Sequence, residues 1–190
     1  STDRVAWAVG AAELLKWLDG DARTAFAASA LEALRNTVEH DRAVVYDAVD
    51  GLYTGEHSFL DWREQSYPGW TAQEHAHIAM SRSLSTNVLH YAALDLVARL
   101  AAESGDTAAG QRYRGWADAL RDRIRARFWL EDAQQFSAFV TTLLDPAPTR
   151  RWDMLGTALA ILTGVATEAQ RRAAMASYPR AGEIGPAVLW

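Results

Sequence analysis

Between Arg4 and Leu18 apolar side chains occupy almost every helical position, with Val5, Trp7, Val9, Leu14, Leu15, Trp17 and Leu18 interrupted only by Glu13 and Lys16. A helix apolar all round is predicted to be buried on every side. The turn Asp19-Gly20-Asp21 follows, with Asp21 placed as an N-cap, and then Phe26, Ala30, Leu34 and Val38 recur every four residues opposite Arg23, Glu32, Arg35 and Glu39. The second segment is therefore an amphipathic helix with one face to solvent.

The couplet recurs. A long helix from about Gln73 to Ala102 carries Ile78, Met80, Leu84, Val88, Leu89, Leu94, Leu96, Val97 and Leu100, and closes at Ser104-Gly105-Asp106, a turn with a C-cap glycine. Tyr113, Trp116, Leu120, Ile124 and Phe128 then form a stripe opposite Arg114, Asp118, Arg121 and Asp122. The third pair is an apolar helix over Asp153 to Val165 and a Thr167-capped helix with Gln170, Arg171 and Arg172 outward. The order is inner, outer, three times over.

Turns within a couplet are a few residues long, whereas the stretches between couplets, roughly 40–73 and 129–152, are long and hold Gly, Pro and aromatics. Long irregular connections are uncommon in compact domains and are mostly functional. Val44-Val45-Tyr46 and Phe136 to Val140 are expected as short strands inside them. The fold class is all-α: three consecutive helical hairpins in a single domain over 1–190, with both long loops on one face, an arrangement of the helical-toroid kind.

Composition narrows the function. The chain of 190 residues has 19 basic and 24 acidic residues, a formal charge of −5, and Lys16 is its only lysine. Phosphate binding needs a basic face, so no nucleic-acid partner is expected. No apolar run approaches the roughly 20 residues that span a bilayer, and Ser-Thr-Asp-Arg is not a signal peptide, so no membrane partner is expected either. Zero cysteines exclude disulfides and thiolate catalysis and leave the compartment open. Eight tryptophans, whose flat rings suit both cores and sugar stacking, stand out. The abrupt start in a helix and the end at Gly-Pro-Ala-Val-Leu-Trp read like a fragment.

The densest chemistry lies between Asp50 and Trp70. Glycosidic cleavage needs one carboxylic acid to protonate the leaving oxygen and a second carboxylate for water, with aromatic platforms and hydrogen-bonding groups around the sugar. Asp61-Trp62-Arg63-Glu64-Gln65, followed by Trp70, offers all of these types. The bland alternative is an Asp61 or Glu64 that pairs with Arg63 or caps the next helix.

The run from Asp50 to Pro68, Ser85-Thr86-Asn87-Val88-Leu89-His90-Tyr91, the helix start Asp153-Met154-Leu155-Gly156 and the end from Tyr178-Pro179 to Trp190 resemble the bacterial six-hairpin glycosidases. The resemblance implies an (α/α) barrel of six helical hairpins, of which three make about half, a partial barrel. It implies a carbohydrate substrate, no cofactor, and an acid and a base on different loops around the ring. Asp61 is the first candidate for a catalytic carboxylate and Glu64 the second, with Arg63 orienting a carboxylate or meeting sugar hydroxyls. Inner-helix surface at the two open edges should then be covered by the missing half of the barrel or by another chain.

Further candidates for substrate contact are Asp3-Arg4 at the first inner helix, Asn87 on a buried helix, and Trp152-Asp153 at the third inner helix. Each has a structural alternative: a dipole-favoured Asp at a helix start, a satisfied buried amide, an N-cap. His75 and His77 are two apart, on different helix faces, so no metal site is expected, and His57 and His90 are expected in core or surface roles. Rival functions on the same toroid are epimerase, phosphorylase and lyase chemistry, and beyond enzymes a helical scaffold that binds a glycan or a protein.

Overall fold

The computed structural model describes residues 3–55, 75–140, 148–179 and 185. The helices are α1 (Asp3–Leu14), α2 (Gly20–Val44), α3 (His75–Ala79), α4 (Leu84–Glu103), α5 (Thr107–Phe128), α6 (Met154–Leu162) and α7 (Glu168–Ser177). Among the described residues, six two-residue strands decorate the long connections as three antiparallel pairs: β1 (Tyr46–Asp47) with β2 (Leu52–Tyr53), β3 (Arg82–Ser83) with β6 (Phe139–Val140), and β4 (Trp129–Leu130) with β5 (Gln135–Phe136). The fold is an all-α partial barrel of hairpins α1/α2, α4/α5 and α6/α7.

Helix α4 is the centre because it is apolar on nearly every side. Residues Leu84 to Tyr91 are all buried, as are Leu94, Leu96, Val97 and Leu100, and the helix touches α1, α2, α5 and α6. The outer helices bury one stripe each: Ala30, Leu34 and Val38 on α2, and Tyr113, Ala117, Leu120, Ile124 and Phe128 on α5. The turn between α4 and α5 needs its glycine, since Gly105 has a φ of +89° and its N–H closes onto Ala102 O. Asp106 then caps α5 through Ala109 N–H at 3.1 Å.

Three expectations from the pattern are corrected. The helix foreseen from Gln73 is broken: α3 stops at Ala79, Arg82 and Ser83 are extended, and α4 starts at Leu84 with Ser83 Oγ accepting Thr86 N–H. Pairing of Arg82 and Ser83 with Val140 and Phe139 holds them out of the helix, a tertiary contact that periodicity cannot register. Helix α1 ends at Leu14 and is not buried all round, because Trp7, Leu14 and, in the turn beyond, Trp17 at 85% exposure face outward. Finally, α2 begins at Gly20 with Asp19 at the cap position, so Asp21 lies in its first turn and is not the N-cap.

Candidate active site

The N-terminal ends of the inner helices lie together. Arg4 near the start of α1 pairs through Nε with Asp41 Oδ1 at 2.8 Å near the end of α2, and Asp41 Oδ2 is 3.9 Å from His90 Nδ1 on α4. An ideal Cβ on Gly156 of α6 would overlap the capping Asp153 carboxylate and stand 2.9 Å from the Leu84 side chain, so glycine here leaves room for both the α6 cap and the start of α4. Both long connections converge here, since β3 pairs with β6 and Leu84 N–H donates to Ala138 O at 2.9 Å.

The first connection is anchored at both ends. Tyr53 N–H donates to Asn87 Oδ1 at 2.8 Å, and Asn87 Nδ2 donates to Tyr53 O at 3.0 Å and to Ser83 O at 2.9 Å. Two residues on, Gly55 N–H donates to Ser81 O at 2.8 Å while Ser81 Oγ donates to Gly55 O at 3.0 Å. Asp61, Trp62, Arg63, Glu64, Gln65 and Trp70 belong to the segment between these anchors and lie outside the described residues.

Beneath the anchors sits a charged cluster. The buried Arg82 guanidinium pairs with Asp47 and, through Nε, with Asp50 Oδ2 at 3.0 Å; Asp50 Oδ1 also meets Arg123 Nη2 at 2.9 Å. Burial alone would raise the Asp47 carboxyl, but N–H groups of Asp50 and Val49 and the Arg82 guanidinium outweigh it and hold the group below its ordinary value. Gly51, with φ +73°, allows the turn between β1 and β2 and leaves room for the Arg123 stem.

His90 is 1% exposed and its ring stacks on Tyr53 with centroids 3.8 Å apart at 5°. Desolvation, helped by the charge of Arg4, pulls the imidazole down to about 3, and burial pushes the Tyr53 phenol up to about 12. The unfolded chain binds a proton at this histidine below about pH 6.5, while the folded chain does so only near pH 3. Between those values the unfolded state holds more protons, so His90 makes stability fall as pH drops. Thermal midpoints recorded from pH 7 to pH 4 are expected to fall less steeply in His90→Gln than in the parent; parallel profiles would refute the neutral, buried assignment.

The second connection ends in Trp152 and Asp153. Trp152 is buried edge-on against Tyr178 with centroids 4.9 Å apart, and Asp153 Oδ2 accepts Gly156 N–H at 2.9 Å as the N-cap of α6. Burial and then the Asp153 charge push the Tyr178 phenol up to about 12.

Of the residues singled out from sequence, Arg4, Asn87, Trp152 and Asp153 are therefore gathered at one end. Asp3 opens α1 there as well. Asn87 has both amide hydrogens and its oxygen committed to backbone, so the satisfied amide is what its position provides. Sequence reasoning missed Asp41, Tyr53 and Arg82, and gave His90 no partner; the available signal was the spacing of Asn87 and His90, three apart on one face of α4. Among the described residues no group of His, Asp or Glu could hold a metal ion, and no helix is long and apolar enough to cross a membrane.

The sequence matches the model of the mannosylglycerate hydrolase MGH1-like glycoside hydrolase domain over residues 4–187. Among solved structures, a GH78 family rhamnosidase of Bacillus sp. GL1 is similar, with a TM-score of 0.60 and 21% identity over 80% of this chain. This chain covers 15% of the rhamnosidase chain. No curated protein matches.

Proposed function

From the premise that this chain belongs to the mannosylglycerate hydrolase MGH1-like glycoside hydrolase domain family, we propose that it hydrolyses a glycosidic bond with Asp61 as the general acid. The observation that carries this reading is the convergence of both long connections at the N-terminal ends of α1, α4 and α6, with the segment bearing Asp61 leaving from that end. The Asp61 carboxyl gives its proton to the glycosidic oxygen as the bond to the anomeric carbon breaks. Water adds at that carbon, and a second carboxylate takes the water proton. Glu64 is the nearest alternative for the acid. Trp62 and Trp70 supply stacking platforms, Arg63 and Gln65 hydrogen bonds to sugar hydroxyls, and Arg4, half-exposed at the same end, a further cation beside the substrate.

The substrate is a small glycoside, and the assay offers mannosylglycerate and aryl rhamnosides, the compounds suggested by the family and by the rhamnosidase. Release of free sugar without added phosphate, with no unsaturated sugar among the products, is the expected result. Phosphate dependence, an unsaturated product or binding without turnover would overturn it in favour of phosphorylase, lyase or scaffold.

The exposed apolar edges belong to the same proposal. Trp7, Leu14 and Trp17 line one edge and Leu162, 81% exposed, lies at the other. Further helices of a barrel cover them in the working enzyme. On its own this chain is expected to self-associate as concentration rises in sedimentation runs, and Leu14→Glu with Trp17→Ser to stay monomeric. A parent that remains monomeric throughout would remove the need for a cover.

A further inference from the structure

The geometry points to Asn87, seconded by His90, as a positioning residue that aims the carboxylate-bearing segment, an inference that rests on the glycosidase reading. Asn87 receives the Tyr53 N–H and gives a hydrogen to the Tyr53 carbonyl, at 2.8 and 3.0 Å. Bonding both backbone groups of one residue is what a neighbouring strand does. The side chain thus stands in for a strand beside β2, whose other side is taken by β1.

The rest of the grip comes from the same helix face. Asn87 and His90 are one turn apart, so one holds the Tyr53 backbone while the other holds its ring in a parallel stack. The third Asn87 bond runs to Ser83 O, which ties β2 to the cap of α4 and through β3 to the second connection. Fixing Tyr53 in both backbone and side chain sets the direction in which the chain departs, and the Gly55 and Ser81 bonds fix where it departs and returns. Asp61 follows Gly55 by six residues in the sequence. A two-stranded ribbon of two residues per strand has too few bonds of its own to hold that direction.

The test combines amide exchange with kinetics. In Asn87→Ala the Tyr53 amide is expected to exchange about tenfold faster or more while Leu120 in α5 keeps its rate, because the opening is local. Asn87→Asp, which retains the acceptor and loses both donors, should fall between. On a hydrolysed glycoside Asn87→Ala should lower kcat by up to about 100-fold with little change in KM. In a double-mutant cycle its effect should nearly vanish in the Asp61→Asn background.

Exchange that rises equally at Tyr53 and Leu120, or effects of the two substitutions that simply multiply, would reduce Asn87 to a contributor to stability and overturn the inference. Hydrolysis undiminished by both Asp61→Asn and Glu64→Gln would instead overturn the assignment of the acid, and binding without turnover the glycosidase reading beneath it. If neither Asn87 variant folds, the unmodified protein decides. Side-chain Nδ2 hydrogens of Asn87 protected like the α4 backbone support the grip, and freely exchanging ones refute it.

Discussion

Asp61→Asn is expected to lower kcat on a hydrolysed glycoside by about 100- to 10,000-fold, the range that general acid catalysis contributes. The amide is nearly isosteric with the carboxyl, so the loss of a transferable proton is the only large change. KM should move little, because the proton is needed in the transition state and not to hold the ground state. A substrate whose leaving group is already a good one, such as a nitrophenolate, should lose less, since it needs less protonation. Glu64→Gln distinguishes the two carboxylates: it should cost clearly less than Asp61→Asn if Asp61 is the acid. Equal and full activity in both variants would end the assignment.

Arg82→Met should cost about 3 kcal/mol of unfolding free energy, the lower end of what removing one partner from a buried ion pair costs. The Arg82 side chain is 4% exposed and answers Asp47 and Asp50, the latter with its second oxygen already held by Arg123. Methionine fills the space and leaves two carboxylates facing an uncharged neighbour. Asp47 is partly solvated and Asp50 keeps Arg123, which is why the lower end applies. The thermal midpoint should drop by roughly 6–12 °C, given a few degrees per kcal/mol in a domain of this size. Adding Asp47→Asn should recover part of the loss, because the orphaned charge is then gone. A loss well under 1 kcal/mol in urea titrations would mean that water reaches the cluster and that it does not brace the connection.

The hairpins were legible because burial of an outer helix writes itself as a stripe: Ala30, Leu34 and Val38, or Leu120, Ile124 and Phe128, have no other reason to recur at that spacing. Caps were legible where they use local geometry, as at Thr167, whose side chain and that of Gln170 bond each other's backbone. The break before α4 was not, since Ile78, Met80 and Leu84 continue a helical period and only the partner strand at Phe139 and Val140 tells the chain to extend. Nor was the exposure of Trp7 and Trp17, because apolarity records what a surface prefers and not whether a neighbour is present to cover it.

The candidate site divides in the same way. Residue types alone marked Asp61 to Gln65 as a place where acid, amide, guanidinium and aromatic ring stand together, because the chemistry of glycoside cleavage requires those groups. They could not say that Asn87 would stand in for a strand, that Asp41 would answer Arg4 across 37 positions, or that His90 would be held neutral against Tyr53. The sequence by itself determined the alternation of helices and the stock of functional groups, both properties of neighbours along the chain. The tertiary structure decided which buried polar groups find each other. Hydrogen bonds and ion pairs of the interior link residues far apart in sequence, and desolvation, which sets their strength and their pKa values, exists only once the helices have closed over them.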